Sequence, residues 1–166
     1  MHGDKRQTAL SPRAAPAHNT AMNGVIVVGV DGSPQSKRAV DWALAEAEAR
    51  GDAVTLVHAW EFPAVLTMTY GGDTLPVFTR DDVQRLSGLL LERTADQARE
   101  EAPGVEVSTR LIEGHAAAAL VEAARHARLL VVGSRGRGGF ERMLMGSVST
   151  ACAHHAVCPI VIVPGG

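Results

Sequence analysis

From residue 24 onwards, segments with a strand pattern alternate with segments with a helix pattern, and this alternation limits the fold more than any other feature. The strand segments are short and rich in Val, Ile and Leu, whereas the helix segments place apolar residues three and four positions apart. Such an alternation is typical of parallel strands joined by right-handed helical crossovers. It predicts a three-layer α/β/α fold with a five-stranded, mainly parallel sheet, whose strands lie at 25–30, 53–60, 105–112, 129–132 and 159–164.

Composition favours one domain and argues against several kinds of partner. Residues 1–23 have no hydrophobic period and predict a disordered tail before a single domain at 24–166. A net charge of −2 with 4% aromatic residues predicts no nucleic-acid partner. The chain has no membrane-spanning run, no signal-peptide pattern and too few cysteines for a disulfide framework, so we expect a cytoplasmic protein. Abundant Ala and Arg with little Lys is typical of high-GC bacteria.

Capping signals mark the limits of the first helix. Ser33 is a typical N-cap residue, Pro34 suits the first helical position, and Gly51 is a typical C-terminal stop.

After the second strand, residues 61–79 contain prolines, glycines and few charges. A connection of this length predicts a lid or a binding loop.

The spacing of apolar residues predicts three further helices. The first begins at Asp81 and ends before Pro103, the second spans 115–127, and the last follows Gly146. The residues expected to face the core are Val83, Leu86, Leu90 and Ala98 in the first of these, Ala117, Leu120, Val121 and Ala124 in the second, and Val148, Ala151, Cys152 and His155 in the last.

A glycine-punctuated loop joins the fourth strand to the last helix. Gly133 and Gly136 follow the strand directly, and Gly146 and Ser147 open the helix after nine intervening residues. Glycines let the backbone turn sharply and leave no Cβ in the path of a ligand. The first N–H groups of a helix have no intrahelical partner and carry partial positive charge. Together with the hydroxyls of Ser147 and Ser149, this pattern favours a phosphate site over a loop that only turns the chain.

Three strand ends are expected at one rim of the sheet. Asp31 follows the first strand, Ala59 lies near the end of the second, and Gly133 follows the fourth. Ligands of parallel sheets bind beyond the carboxyl ends of the strands, where the strand order reverses. The rim is therefore the candidate ligand site, although the order of the strands does not follow from the sequence.

The last strand is apolar, short and bounded by Pro159 and Pro164, which favours a position at the edge of the sheet. An exposed apolar edge pairs readily with another chain. We therefore expect a homodimer through residues 159–164. The alternative is that loops or the N-terminal tail cover this edge.

Charged residues near the glycine loop give weaker signals. Of Arg135, Arg137 and Arg142, we expect Arg135 to contact phosphates and the others to be solvated loop charges. Glu61 and Asp73 in the long connection are candidate ligands of a divalent ion beside the phosphates, but their spacing does not require this role.

Histidine and cysteine residues do not predict catalysis or a metal site. His58 ends a strand, which favours a packed, hydrogen-bonded histidine over a base. On a helix, Cys152 and His155 share a face, whereas His154 points away and Cys158 lies beyond the end, so a zinc site is disfavoured. The Walker A, dinucleotide-binding and nucleophile-elbow motifs are all absent from the sequence.

Residues 25–164 resemble a universal stress protein domain. The segment Val-Gly-Val-Asp-Gly-Ser at 28–33 is similar to the first strand of that family and its acid, and Leu-Val-His-Ala at 56–59 to the end of its second strand. The family's nucleotide-binding pattern, G-x2-G-x9-G-[S/T], is matched by Gly133, Gly136, Gly146 and Ser147.

The resemblance implies a Rossmann-like fold of the adenine-nucleotide alpha-hydrolase type that binds ATP, with Mg²⁺ or Mn²⁺ held by its phosphates. By position, Asp31 would contact the nucleoside and the Ala59 backbone the adenine, while the glycine loop and the helix start would hold ribose and phosphates. The nucleotide-binding residues implied in this way are Gly29, Val30, Asp31, Ala59, Val132, Gly133, Arg135, Gly136, Gly146, Ser147, Val148 and Ser149.

The implied function is a nucleotide-dependent stress-response regulator or sensor that works as a homodimer with an unidentified protein partner. No residue set points to efficient catalysis, so we expect at most weak ATP hydrolysis. The alternative is a slow ATPase or nucleotidyl-transfer enzyme that uses the same pocket with a divalent metal.

Overall fold

The computed structural model describes residues 24–62, 67–70, 73–76, 78–137 and 145–165, and the predicted tail at 1–23 and Arg142 lie outside them. The strands are β1 (Val25–Gly29), β2 (Ala53–Trp60), β3 (Thr67–Tyr70), β4 (Asp73–Pro76), β5 (Val107–Glu113), β6 (Leu129–Gly133) and β7 (Ile160–Val163). The helices are α1 (Pro34–Arg50), α2 (Arg80–Glu101), α3 (Ala116–Ala123) and α4 (Ser147–His155). Among the described helices, none has the length and apolar character needed to cross a membrane.

Five strands form one parallel sheet in the order β5–β2–β1–β6–β7. Val27 of β1 lies opposite Thr55 of β2 on one side and Leu130 of β6 on the other. The predicted α/β fold with a five-stranded parallel sheet is confirmed. The chain moves outward from β1 to β5 and then returns to the far side of β1, so the strand order reverses there. A crevice for ligands is expected at the carboxyl ends of β1 and β6.

Helices cover both faces of the sheet. Ile26 and Val28 of β1 pack in one core cluster with the buried alanines of α1 and α2. Val27 points to the other face, where it packs in a second cluster with Leu120 of α3 and Cys152 of α4. The alternation of side chains along β1 thus places two helices on each face, as the three-layer prediction requires.

The limits of α1 agree with its capping signals. The Ser33 hydroxyl accepts a hydrogen bond from the Ser36 N–H at 3.1 Å, and Pro34 is the first helical residue. Gly51 has a φ of 72°, the left-handed conformation that terminates many helices. This helix start lies directly after Asp31, so its cap helps to fix the loop at the rim of the sheet.

The prediction of which α2 residues face the core is partly wrong. The helix begins at Arg80, one residue before the predicted Asp81, because Thr79 and Asp82 form a reciprocal capping box. Its buried residues include Leu91 and Ala98, whereas Leu86 is 51% exposed. Three consecutive leucines at 89–91 make the inward face ambiguous from spacing alone.

Two further helices also differ from their predicted patterns. The third, α3, ends at Ala123 rather than continuing to residue 127. In α4, the residues that are buried are Ser149 and Cys152, while Val148 and His155, which were expected to face the core, are exposed. Cys152 is buried as predicted, and Ser149 is buried in place of Val148, with its hydroxyl donating to the Ser134 carbonyl.

The long connection after β2 contains β3 and β4, which pair as an antiparallel hairpin. This hairpin was not predicted, although the Gly71-Gly72 pair between the two strands is a typical hairpin signal. At the other end of the chain, β7 pairs with β6 and is the last strand of the sheet order. Its predicted edge position is confirmed.

Candidate functional site

A cleft of about 780 Å³ opens at the carboxyl ends of β1, β2 and β6, beside the starts of α3 and α4. This volume lies in the roughly 300–1,000 Å³ range of small-ligand pockets. Every residue implied by the resemblance as nucleotide-binding lines this cleft: Gly29, Val30, Asp31, Ala59, Val132, Gly133, Arg135, Gly136, Gly146, Ser147, Val148 and Ser149. The structure therefore brings together at one crevice residues that come from four separate parts of the sequence.

Asp31 presents a carboxylate that two backbone amides hold in place. The Ser33 N–H donates to Oδ1 at 2.9 Å, and the Arg137 N–H donates to Oδ2 at 3.1 Å. Each carboxylate oxygen can accept a further hydrogen bond, so both keep acceptor capacity for a ligand. The bond from Arg137 also ties the end of β1 to the glycine loop after β6.

The pKa of the Asp31 carboxyl lies below its ordinary value of 3.8. Burial acts in the opposite direction and raises the pKa, but hydrogen bonds from Ser33, Ser36 and the Arg137 backbone outweigh it. Asp31 is therefore ionised at neutral pH. Its carboxylate is a good acceptor for hydroxyl or amine groups and a weak base.

His58 connects the ends of β1 and β2 beneath the cleft. Its Nδ1 lies 2.6 Å from the Val30 carbonyl oxygen, to which it donates a hydrogen bond, and its ring is buried. The Val30 N–H donates in turn to the Val57 carbonyl at 2.8 Å. The prediction that His58 is a packed, hydrogen-bonded histidine is confirmed, and this pairing fixes the backbone just before Asp31.

Three glycines of the predicted motif serve different structural purposes. A Cβ at Gly133 would lie 2.9 Å from the backbone carbon of Gln35, so α1 can approach the end of β6 only because this residue is glycine. A Cβ at Gly136 would collide with the Asp31 carboxylate. Gly146 has an ordinary φ of −79°, and a Cβ there would lie 3.4 Å or more from the described residues. The described fold would thus accept alanine at Gly146.

Ser134 and Ser149 anchor the start of α4 to the glycine loop. The Ser134 carbonyl accepts from the Gly146 N–H at 2.7 Å and from the Ser149 hydroxyl at 2.8 Å. The first intrahelical bond runs from the Thr150 N–H to the Gly146 carbonyl. The N–H groups at 147–149 precede that bond and form the positive end of the helix dipole beside the cleft. The Ser149 hydroxyl is used in anchoring, which leaves its N–H as the donor it can offer a ligand.

Several cleft residues were not predicted. Val57 of β2 and two α3 residues, Ala116 and Leu120, add apolar surface, and Arg137 lines the cleft beside Arg135. Val57 could have been inferred from Ala59, because residues two apart in a strand share a face. The α3 residues depend on which strands that helix covers, and the sequence carries no direct signal for this.

Glu61 and Cys152, two of the polar residues weighed in the sequence analysis, do not line the cleft, and the side chain of Asp73 lies outside the described residues. Glu61 pairs with Nδ1 of His115 at 2.8 Å. Burial raises the pKa of the Cys152 thiol to about 11, so this cysteine is a neutral core residue. Within the described residues, no group of three or more His, Cys, Asp or Glu side chains is arranged to hold a metal ion.

Residues 22–164 match the model of the universal stress protein family. The chain is 39% identical over 165 residues to a universal stress protein of Mycolicibacterium smegmatis, an alignment that covers 98% of this chain and 49% of the relative. It is 38% identical over 137 residues to one from Mycobacterium tuberculosis, which covers 82% of this chain and 44% of that protein. The chain thus spans about half the length of these curated relatives.

Solved structures show the same architecture. A crystal structure of a universal stress protein in complex with cAMP is 28% identical, covers 87% of this chain and 98% of its own, and superposes with a TM-score of 0.62. A universal stress protein from Archaeoglobus fulgidus has the same fold, with a TM-score of 0.64 at 23% identity over 84% of this chain and 93% of its own. On the family match, the sequence identity and the shared sheet, this chain belongs to the universal stress protein family.

Proposed function

We propose that the cleft binds ATP, with Mg²⁺ or Mn²⁺ carried by its phosphates, and that the chain acts as a nucleotide-dependent stress-response regulator in the cytoplasm. The observation that carries this proposal is the convergence of Asp31, the glycine loop and the start of α4 on one cleft. The cAMP complex of a relative supports an adenine nucleotide as the ligand class.

The two ends of the cleft suit the two ends of a nucleotide. Apolar side chains of Val57, Leu120 and Val132, which pack together on the α3 face of the sheet, line the cleft and offer contact to a planar base. The N–H groups at 147–149, at the positive end of α4, suit phosphate oxygens. Asp31 would repel phosphate but can accept hydrogen bonds from ribose hydroxyls, so we assign it to the nucleoside.

The chemistry of the cleft favours holding ATP over rapid hydrolysis. Hydrolysis needs a base that activates water, and a base works best when its pKa lies near the working pH. Asp31 is a carboxylate with a lowered pKa, which makes it a weak base at neutral pH. We therefore assign the chain a sensing role with slow turnover at most.

We also assign the chain a homodimer formed through β7. Its residues, Ile160–Val163, are apolar, and all four remain partly exposed although helices cover the sheet on both faces. An edge strand of this kind can pair with the same strand of a second copy and bury that surface. In this proposal, nucleotide occupancy alters the dimer or the long connection after β2, and a protein partner responds to the change.

The first experiment is to purify the chain, denature it and identify any released nucleotide by chromatography and mass spectrometry. We expect ATP, and we expect Gly146→Ala to reduce ATP affinity about tenfold or more with an unchanged melting temperature. The reason is that the described fold has room for this methyl group, whereas a phosphate at the helix start would meet it.

Gly104→Ala is the matched control, because Gly104 lies in a turn with no atom within 4 Å of the added Cβ. This variant should bind ATP as the wild type does. A preparation that carries no nucleotide and also fails to bind added ATP with Mg²⁺ would refute the proposed ligand. Equal affinity of Gly146→Ala and wild type would refute the role of the helix start.

A further inference from the structure

A second groove, of about 430 Å³, lies between α1 and α2 on the opposite face of the sheet from α3 and α4. Its apolar floor contains Val40, Leu90 and Ala98, none of which lines the nucleotide cleft. Leu89 also lines the groove and is 61% exposed. Leu86, the other leucine of α2 with more than half its surface exposed, lies one turn earlier. Residues at these spacings form one stripe on a helix, so α2 presents an apolar stripe beside an open groove.

The charges around this groove are unevenly paired. The Lys37 ammonium lies 3.0 Å from Asp41 and 3.2 Å from Glu101, so these three groups neutralise one another in part. Arg93 and Arg137 line the same groove, and in the part of the chain that the structure describes their guanidinium groups have no ion pair. Two unpaired arginines beside an apolar floor complement an anionic, apolar ligand surface.

We infer that this groove docks an amphipathic helix of a partner protein, whose apolar side chains contact Leu86 and Leu89 and whose acidic side chains pair with Arg93 and Arg137. A helix suits the groove because its side chains recur at the three- and four-residue spacing of the stripe on α2. Arginine pairs with carboxylates in a bidentate geometry, which selects acidic over neutral helices. The docking surface is separate from the edge strand β7, and Arg137 is the docking residue that it shares with the nucleotide cleft.

Arg137 links this groove to the nucleotide cleft. Its backbone N–H donates to Asp31, while its guanidinium approaches Gly32 so closely that a Cβ there would lie 2.6 Å from it. Gly32 has a φ of 78°, a backbone conformation that favours glycine. A nucleotide that engages Asp31 would shift Arg137, and the docking affinity would then depend on ATP. This coupling, unlike the docking itself, rests on the proposed function.

The test uses a phage-displayed library of helix-forming peptides panned on the purified chain. We expect the enriched peptides to be acidic and to carry apolar residues three or four positions apart. The best peptide is labelled, and its affinity is measured by fluorescence anisotropy. Arg93→Glu and Leu89→Asp should each weaken binding about tenfold or more, because both remove central contacts.

Arg125→Glu is the matched control, since Arg125 follows α3 outside the groove and forms an exposed pair with Glu122. It should bind the peptide within about twofold of the wild type. A peptide in which lysines replace the acidic residues should bind Arg93→Glu better than wild type. Leu89 and Arg93 are exposed, so both variants should keep the wild-type melting temperature and ATP affinity.

Failure to enrich any peptide, enrichment of basic peptides, or wild-type affinity in both variants would overturn the docking surface. If Leu89→Asp instead abolishes self-association in sedimentation velocity, the occupant is a second copy of this chain and the partner helix is wrong. Equal peptide affinity with and without bound ATP would overturn the coupling. If ATP does not bind at all, the proposed function fails, and the peptide result still decides the docking surface.

Discussion

Two aspartates lie at opposite ends of the sheet, and their surroundings differ. Asp52 lies where the chain enters β2, at the amino ends of the strands, and its side chain is 1% exposed. Its Oδ1 accepts from the Gly24 N–H at 2.7 Å. The Arg128 Nε lies 3.1 Å from Oδ2, close enough for an ion pair although out of line for a hydrogen bond. Arg128 in turn donates its N–H to the Val25 carbonyl.

Asp31 follows β1 at the carboxyl ends of the strands and is only partly buried. Backbone amides of Ser33 and Arg137 each donate to one of its carboxylate oxygens. Burial raises its pKa, but the hydrogen bonds it accepts outweigh burial, so the pKa lies below its ordinary value. One face of its carboxylate is left towards the cleft. Asp52 therefore joins three parts of the fold and has no surface left for a ligand, whereas Asp31 is fixed in position and still accessible.

The difference shows which carboxylates in such a fold deserve a functional assignment. A buried charge must be compensated inside the protein, and once compensated it contributes to stability and has nothing to offer a ligand. A carboxylate held from one side by amides keeps its charge and its remaining acceptor capacity. Removal of each side chain should therefore affect a different property of the protein.

The largest effect on stability is expected from Asp52→Ala. The substitution leaves the Gly24 N–H without its acceptor and separates Arg128 from its partner, so the free energy of unfolding should fall by about 2 kcal/mol. For a chain of this size the melting temperature should fall by roughly 4–8 °C. ATP affinity of the folded fraction should stay unchanged.

Urea unfolding and thermal melting measure this effect, and Asp96→Ala is the control. Asp96 forms an exposed pair with Arg99, and exposed pairs contribute about 0–1 kcal/mol. If Asp52→Ala is as stable as Asp96→Ala, the amino end of the sheet does not depend on this residue and the comparison fails on that side.

Asp31→Asn should have the opposite effect: it should lower ATP affinity and leave stability nearly unchanged. The amide keeps the shape of the carboxylate but loses its charge and one of the two oxygens that accept from Ser33 and Arg137, so ATP affinity should fall about 10- to 100-fold. The melting temperature should change little, because the side chain is partly exposed. Isothermal titration calorimetry with ATP and Mg²⁺ measures the loss, with Asp96→Asn as the control. A variant that melts far below the wild type and still binds ATP normally would make Asp31 a structural residue like Asp52.

Local chemistry made much of the fold predictable. The capping residues Ser33, Pro34 and Gly51 act within a few residues of themselves, so the limits of α1 follow from the sequence. The inward face of α2 does not, because leucines at 89, 90 and 91 satisfy more than one helical stripe. The sheet, and not the spacing, decides that Leu91 is buried and Leu89 exposed.

Part of the candidate site was likewise predictable from the sequence, and part was not. Its strand ends and glycine loop were predicted, since each follows a recognisable apolar strand. The packing reason for glycine at 133 was not predicted, because the residue that approaches it, Gln35, lies in a helix almost a hundred residues earlier in the chain. The contribution of Leu120 likewise depends on the strand order, which places α3 over β1 and β2. Contacts between elements distant in sequence carry no local signal.

The smallest effect is expected when the wild type and Asp31→Asn are compared for how their free energies of unfolding change at acid pH. The folded pKa of Asp31 lies below the ordinary value of 3.8, so its ionisation stabilises the folded state above that pH, and this contribution disappears as pH falls through the folded pKa. The wild type should exceed Asp31→Asn in free energy of unfolding by less than about 1 kcal/mol at neutral pH, because the group is partly exposed to solvent.

Urea titrations of both proteins between neutral pH and about pH 3 measure this difference. We expect it to stay constant down to about pH 4 and to shrink below that. A difference that instead grows as pH falls from neutral to about pH 5 would mean that the carboxyl has a raised pKa, because the folded state would then bind the proton more tightly than the unfolded state. Burial would then outweigh the hydrogen bonds from Ser33 and Arg137, and Asp31 would be a stronger base than the sensing proposal allows.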